Sequence, residues 1–253
     1  MKFLIPSYNR AEKCRTARYL HSLGYTRDQV HISTQNERDR DAYTREYGDI
    51  ATVHYREAHN CAGNRNTLVD LLDDGEECLL MDDDVRSVYR YTPIAGRRYG
   101  KLVSLDREGF DELLDKCHGL IEDGVSLVGV YDNANTMNIH RNYADGRAVD
   151  YTRQIVGSFM YARKDGDLRF DETLPCLDDV ELSLRLVFGG RKTARLNLYA
   201  ANKPQDTKET GGCFEVYESG KKKEVLLELE RRFYPLAVHK KDWTGMRLKG
   251  GIR

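Results

Sequence analysis

The sequence has 253 residues, of which 40% are hydrophobic and 32% charged, with a formal net charge of −1. The hydrophobic fraction excludes a disordered chain, and 21 glycines beside five prolines exclude a collagen-like protein. No apolar run approaches the roughly 20 residues that a membrane span needs, and the N-terminus lacks the pattern of a signal peptide. We therefore expect a cytoplasmic globular protein with no membrane partner.

The six cysteines show no Cys-x-x-Cys spacing, so we expect reduced thiols with no disulfide partner and no zinc site. Charge is distributed unevenly along the chain. Residues 231–253 hold seven Lys or Arg against one acid, which gives +6, and the rest therefore holds −7. A basic C-terminus on an acidic body suits a polyanionic partner, although a solvated terminal face explains it equally well.

Strand and helix patterns alternate through the first part of the chain. Buried strands are predicted at 2–7, 30–35, 51–55 and 77–81, and helices at 10–22, 38–47 and 62–74. This order predicts an α/β fold with an open, mostly parallel twisted sheet flanked by helices. Ligands of such sheets bind beyond the carboxyl ends of the strands.

The second part of the chain is less regular. Helices are predicted at 106–123, 182–188 and 221–233, strands at 126–131, 156–163 and 194–199, and a polar loop at 203–212. No repeat or linker divides the chain. We expect one domain with a first half (1–105), a second half (106–220) and a basic helical extension (221–253).

Three carboxylates, Asp82, Asp83 and Asp84, follow the predicted strand at 77–81. In extended chain, side chains two residues apart share a face, so Asp82 and Asp84 point together. Two converging carboxylates suit Mg²⁺ or Mn²⁺ shared with a diphosphate. A solvated acidic turn is the alternative, but three adjacent acids are costly to hold together without a cation.

Two polar segments also stand at strand or helix ends. Pro6, Tyr8, Asn9 and Arg10 follow the first strand, where an aromatic ring, an amide and a guanidinium can bind a nucleotide, or where Asn9 caps a helix. Residues 61–66 open a helix with small side chains and Arg65, an arrangement that suits an anion and equally an ordinary cap.

Asp178 and Asp179 begin a helical pattern, where the helix dipole favours the ionised carboxylate. Such a carboxylate can act as a general base toward an acceptor hydroxyl, although capping explains one of the two acids. His239 is a candidate metal ligand, and a structural histidine is the alternative. Lys203, Lys208 and the Gly211–Gly212 pair suit either a loop closing over phosphates or a surface loop.

The order of these motifs resembles that of family 2 glycosyltransferases of the GT-A fold, over about residues 2–190. The segments that match are 6–10, 62–66, 82–84 and 178–186. The resemblance implies that Asp84 is the principal metal ligand, that Asp82 and Asp83 contact the nucleotide sugar with Asp82 also near the metal, and that Asp179 is the base. Asp178 stands where glutamate is usual, so which of the two acids is the base stays open. Gln35 is one of several candidates for the residue that meets the nucleotide after the second strand.

A narrower resemblance is to the phage-type glycosyltransferases associated with TET/JBP oxygenases, which act on hydroxymethylated pyrimidines in DNA. It rests on the compact size, the opening Ile-Pro-Ser-Tyr-Asn-Arg-Ala and the basic C-terminus, and it implies a host-cytoplasmic enzyme. DNA would then contact the basic C-terminus, with Trp243 against a displaced base. The sequence pI of about 6.7 is low for a DNA-binding protein.

The motifs and the two resemblances together imply a metal-dependent, inverting hexosyltransferase that uses Mn²⁺ or Mg²⁺ and a UDP-sugar, with 5-hydroxymethylcytosine in DNA as acceptor. They also imply that residues 1–105 are the nucleotide-binding half and residues 106–220 the acceptor and catalytic half. A saccharide or protein acceptor is the alternative within the same class. A sugar nucleotidyltransferase of the same fold is a second alternative, and a non-catalytic nucleic-acid-binding module is a third.

Overall fold

A computed structural model describes residues 1–203, 216, 219–241 and 245–248. The helices are α1 (Arg15–Ser22), α2 (Glu37–Tyr47), α3 (Cys61–Val69), α4 (Arg107–Glu122), α5 (Thr136–Ala144), α6 (Asp178–Phe188) and α7 (Lys221–Phe233). The strands are β1 (Lys2–Pro6), β2 (Val30–Thr34), β3 (Thr52–Tyr55), β4 (Glu77–Leu80), β5 (Ser87–Thr92), β6 (Lys101–Ser104), β7 (Val125–Tyr131), β8 (Val149–Tyr151), β9 (Met160–Arg163), β10 (Lys192–Asn202), β11 (Ala237–His239) and β12 (Met246–Leu248).

Within the described ranges, one large sheet has the order β3-β2-β1-β4-β9-β7-β10-β5-β6, with β8 paired to β10. The first four of these strands are parallel, and β7 and β10 are parallel further along. Strand β9 runs antiparallel between β4 and β7, and β5 and β6 form an antiparallel hairpin at one edge. The predicted α/β fold, an open sheet flanked by helices, is confirmed.

The strand order reverses at β1, because β2 and β3 lie on one side of it and β4 lies on the other. A crevice opens at such a point, beyond the carboxyl ends of the strands. Asp82–Asp84 leave β4 there and Ser7–Arg10 leave β1 beside them. The topology therefore brings together motifs that are about 75 residues apart in the sequence.

Several predicted boundaries are wrong for identifiable reasons. The helix expected at 10–22 is a short 3₁₀ turn at Ala11–Lys13 followed by α1, because Cys14 between them is not helical. The strand expected at 156–163 begins only at Met160, because the backbone of Gly157 bonds Asp82 and Asp179 instead of a neighbouring strand. The first helical turn of α6 already contains Asp178 and Asp179.

The sheet has a hydrophobic core on each face. The larger core lies under α1, α2 and α4, where Phe110 is fully buried and its ring lies 5.9 Å from those of Tyr19 and Tyr25 and 6.4 Å from that of Phe3. The second core lies under α3 and α6. No helix in the described ranges has the length and apolar character needed to cross a bilayer.

Phe110→Ala should lower the free energy of unfolding by about 3–5 kcal/mol, because it removes a fully buried ring and leaves a cavity among three others. Phe188→Ala is the matched control, since Phe188 is 57% exposed, and it should cost at most about 1 kcal/mol. Urea denaturation followed by circular dichroism measures both. Equal losses for the two variants would contradict this account of the core.

Candidate active site

A cavity of about 670 Å³ opens at the reversal point of the sheet. It contains most of the candidate residues from the sequence. Those that line it are Pro6, Tyr8, Arg10, Gln35, Arg65, Asp82, Asp83, Asp84, Asp178 and Asp179. Asn9 and His239 do not line it.

The three carboxylates after β4 have different surroundings. Asp83 is buried, where it accepts hydrogen bonds from the Ser7 hydroxyl and, at 3.3 Å, from the Arg10 guanidinium. Asp82 and Asp84 are both partly exposed to the cavity. The buried Oδ1 of Asp84 has no hydrogen-bond partner among the described residues.

Burial and the neighbouring charges favour the protonated forms of Asp83 and Asp84. Burial, followed by the charges of Asp82 and Asp83, raises the pKa of Asp84 to about 7. Burial also raises the pKa of Asp83, against the opposing effect of Arg10. A cation placed between Asp82 and Asp84 would relieve this repulsion, as expected of a metal-binding pair.

The segment after β1 is held rigidly at the cavity wall. The Asn64 amide donates to the carbonyl of Ser7 at 2.9 Å, and the backbone N–H of Arg10 donates to the Tyr43 hydroxyl at 3.0 Å. Asn9 has a positive φ of 52° and its backbone N–H donates to Asp39 at 3.0 Å. This turn places Tyr8 and Arg10 at the cavity and Asn9 away from it, so Asn9 is not a helix cap.

Arg65 joins two of the predicted motifs. Its side chain is buried, and it donates to Asp82 at 2.9 Å and to Asp178 at 2.5 Å. Its guanidinium also lies 5.4 Å from the centroid of the Phe170 ring. Although burial opposes the charge, the carboxylates, Asp178 first, raise the pKa of Arg65. Arg65 is therefore a permanent cation that fixes α3, the end of β4 and the start of α6.

The two acids at the start of α6 also differ in burial, because one is buried and the other faces the cavity. Asp178 is 2% exposed and is held by Arg65, and burial raises its pKa. Asp179 faces the cavity and accepts hydrogen bonds from the backbone N–H groups of Gly157 at 2.7 Å and Val180 at 2.8 Å. These two amide donors fix the orientation of the Asp179 carboxylate.

Gly157 connects the two sets of acids, and sequence analysis did not identify it. Its N–H donates to Asp179, and its carbonyl accepts from the backbone N–H of Asp82 at 2.9 Å. A Cβ at this position would lie 2.3 Å from Arg65 Nη2 and 2.5 Å from Asp82 Oδ1. Only glycine therefore fits there without moving the carboxylates. Its proximity to Asp82 depends on long-range pairing, for which the local sequence offers no signal.

A second ion pair lies at the cavity wall. The Lys203 ammonium is 2.6 Å from Asp132 and 3.8 Å from Asp82. Burial opposes its charge, but Asp82 and Asp132 raise the pKa of Lys203 above its usual value. Asp132 was not predicted, although it follows the apolar strand β7 just as Asp82 follows β4. An acid directly after an apolar strand was the signal in the sequence that could have identified Asp132.

The C-terminal part supplies cations to the same cavity. Lys221 and Lys222 begin α7, Lys240 follows β11, and all three line the cavity. His239 pairs through Nδ1 with Glu230. The predicted residues Lys208, Gly211, Gly212, Cys213 and Trp243 lie outside the described ranges.

The basic C-terminus is partly neutralised within the protein. Arg231 pairs with Glu228 at 2.8 Å, and Arg232 pairs with both Glu228 at 2.8 Å and Asp171 at 2.6 Å. These two arginines account for part of the positive charge of residues 231–253 and already have anionic partners.

Chemically, the cavity combines a carboxylate pair suited to a divalent cation, an aromatic and amide wall, several ammonium groups and a separate carboxylate at a helix start. The sequence comparisons agree with this combination. The family model of the TET-associated glycosyltransferases matches residues 1–212. No curated protein matches the sequence.

Solved structures resemble this chain at low sequence identity, and one of them has a TM-score above 0.5. A mannosyltransferase from Pyrobaculum calidifontis, in complex with GDP-Man and Mn²⁺, has a TM-score of 0.58 and 14% identity over 89% of this chain. The chain spans 61% of that protein's length. A TarS fragment from S. aureus in complex with UDP has a TM-score of 0.48 and 16% identity, over 92% of this chain and 72% of that one.

The profile match covers the large sheet, both acidic motifs and the cavity residues up to Lys203, and the fold is that of GT-A glycosyltransferases. This chain belongs to the TET-associated glycosyltransferase family.

Proposed function

We propose that this glycosyltransferase is metal-dependent and inverting, and that it moves a sugar from a nucleotide sugar, UDP-glucose or a close relative, to a hydroxyl group. The main support is the Arg65 bridge, which holds Asp82 and Asp178 against one guanidinium in one cavity. The carboxylates expected to act on the donor thereby lie beside those expected to act on the acceptor. The mannosyltransferase of the same fold binds GDP-Man and Mn²⁺, which favours a nucleotide-sugar donor and a divalent cation here.

The residues after β4 fit a divalent cation. Asp84 has a buried oxygen without a hydrogen-bond partner in the described structure, and Asp82 faces the same cavity. Carboxylate oxygens are the ligands that Mg²⁺ and Mn²⁺ prefer. Asp84 would hold the ion with Asp82 in support, and the bound ion would stabilise the charge of the departing nucleotide.

The other donor contacts follow from the cavity wall. Tyr8 offers an aromatic face to the nucleotide base, and Gln35 offers an amide to its edge. Arg10 and Lys203 place cations near the carboxylates, where a diphosphate would lie. These groups bind and orient the donor without changing their own protonation.

Asp179 is the proposed general base. It takes the proton of the acceptor hydroxyl while that oxygen bonds to the anomeric carbon, and the bond from this carbon to the nucleotide breaks on the opposite face. This single displacement inverts the configuration and releases the nucleoside diphosphate. Asp178 is a positioning residue, because its carboxylate is occupied by Arg65.

We propose a hydroxymethylpyrimidine in DNA, 5-hydroxymethylcytosine, as the acceptor. The family's association with TET oxygenases supports this choice, as do the four lysines that line the cavity, which suit phosphates. A saccharide or protein hydroxyl is the alternative acceptor.

Asp84→Asn should weaken UDP binding in the presence of Mn²⁺ by at least about tenfold, because it removes the principal metal ligand. The wild-type protein should lose UDP affinity to the same extent when EDTA replaces Mn²⁺. Calorimetric titration measures both, with the exposed Asp74→Asn as control. Binding of GDP but not UDP would change the proposed nucleotide, and equal UDP affinity with Mn²⁺ and with EDTA would contradict the metal site.

Asp179→Asn should lower turnover by about 10²–10⁴ while leaving UDP affinity and thermal stability near those of the wild type. Asp178→Asn should also lower the melting temperature, because it leaves the buried Arg65 without one of its two carboxylates. Release of UDP from UDP-glucose and thermal denaturation measure the two effects. Near-full turnover of Asp179→Asn would overturn the assignment of the base, and release of pyrophosphate would indicate a nucleotidyltransferase.

A further inference from the structure

The hairpin of β5 and β6 has an unusual charge pattern that the proposed chemistry does not use. Residues 86–104 contain five Lys or Arg, three tyrosines and no acid. Residues 133–144, which contain α5, add Arg141 and Tyr143, again without an acid. We call the side chains that these two segments present the hairpin surface; it comprises Arg97, Arg98, Tyr99, Lys101, Arg141 and Tyr143.

The tip of the hairpin is fixed onto α5. The Tyr91 hydroxyl lies 2.7 Å from His140 Nδ1 and accepts the backbone N–H of Gly100 at 2.7 Å. The rings of Tyr99 and His140 are 5.0 Å apart. A Cβ at Gly100 would lie 2.2 Å from the carbonyl oxygen of Thr92, so the close fold of the tip requires glycine. The hairpin surface therefore has a defined shape.

The cations of this surface face solvent. Arg90 pairs with Glu112 at 3.1 Å, but Arg97, Arg98 and Lys101 are exposed and form no ion pair within the described ranges. The Arg98 guanidinium lies 5.2 Å from the centroid of the Tyr99 ring. Because exposed tyrosines alternate with unpaired cations, the surface combines the two features that bind a nucleic-acid strand, phosphate neutralisation and base stacking.

The hairpin links its surface to the cavity edge through β5, which runs antiparallel to β10 and leads from that edge, at Ser87, to the tip. Arg86, where the hairpin begins, donates its backbone N–H to the carbonyl of Asn202 at 2.8 Å, and Asn202 precedes the cavity residue Lys203. Asp132 lines the cavity, and α5 begins four residues later with Asn135 as its cap. A strand that contacts both the hairpin surface and the cavity must therefore extend along β5, whose six residues span roughly 20 Å.

We propose that the DNA substrate docks on the hairpin surface, with its phosphates on Arg97, Arg98 and Lys101 and unstacked bases against Tyr99 and Tyr143, and that the target base enters the cavity. This inference rests on the proposed DNA acceptor. It places the main contact on the hairpin surface and not on the basic C-terminus, where Arg231 and Arg232 already pair with acids.

The test is the affinity of a labelled DNA duplex for the full chain, measured by fluorescence anisotropy over a range of salt concentrations. Arg97→Gln/Arg98→Gln should weaken binding by at least about tenfold and lower the slope of log affinity against log salt by about 2, since two phosphate contacts are lost. The control Arg38→Gln/Arg45→Gln removes the same charge from exposed positions of α2, beside the other edge of the sheet, and should change neither quantity. UDP affinity should stay unchanged in both variants.

Stacking has its own test. Tyr99→Ala should weaken binding about fivefold or more, whereas Tyr99→Phe should retain wild-type affinity, because the ring remains. Equal losses for the two variants would overturn the stacking role.

Three results would contradict the docking surface. If Lys240→Gln/Arg247→Gln abolishes DNA binding and Arg97→Gln/Arg98→Gln does not, the C-terminus is the contact and the DNA acceptor stands. If the wild type binds UDP with Mn²⁺ but no DNA, both the surface and the DNA acceptor are wrong, and the donor chemistry stands. If the α2 control loses affinity as strongly as the hairpin variant, binding depends on net charge alone.

Discussion

Arg65 is 4% exposed, and the rest of the cavity is arranged around its charge. Burying a guanidinium without partners costs several kcal/mol, so the fold must supply carboxylates where the side chain ends. It supplies one from the turn after β4 and one from the start of α6. Because these elements belong to different halves of the chain, the same ion pairs that satisfy Arg65 also determine where the two halves meet.

The same ion pairs give adjacent acids different surroundings. Asp83 and Asp178 point into the protein and hold arginines, whereas their neighbours Asp84 and Asp179 face the cavity. The buried acid of each pair anchors the backbone through its arginine. This anchoring fixes the direction of the neighbouring acid, which faces the cavity. The run after β4 thus has one buried carboxylate, Asp83, between two that face the cavity, and the pair that begins α6 has one of each kind.

Much of the site could be predicted because its signals are local. Asp82–Asp84 follow a buried strand, Arg65 lies in the first turns of a helix, and all such ends meet at one edge of a parallel sheet. The insertion of β9 between β4 and β7, the hairpin of β5 and β6, and the position of Gly157 could not be predicted. They depend on pairing between distant strands, and neither periodicity nor composition records which strands will be neighbours.

Gly157 limits how the enzyme can adapt to different substrates. Its amide and its carbonyl contact Asp179 and Asp82, and its Cα leaves no room for a side chain. The separation between the proposed metal-binding carboxylates and the proposed base is therefore set by the backbone, independent of the sugar or acceptor present. The cavity side chains Gln154, Val156 and Leu177 can change in size without altering that separation.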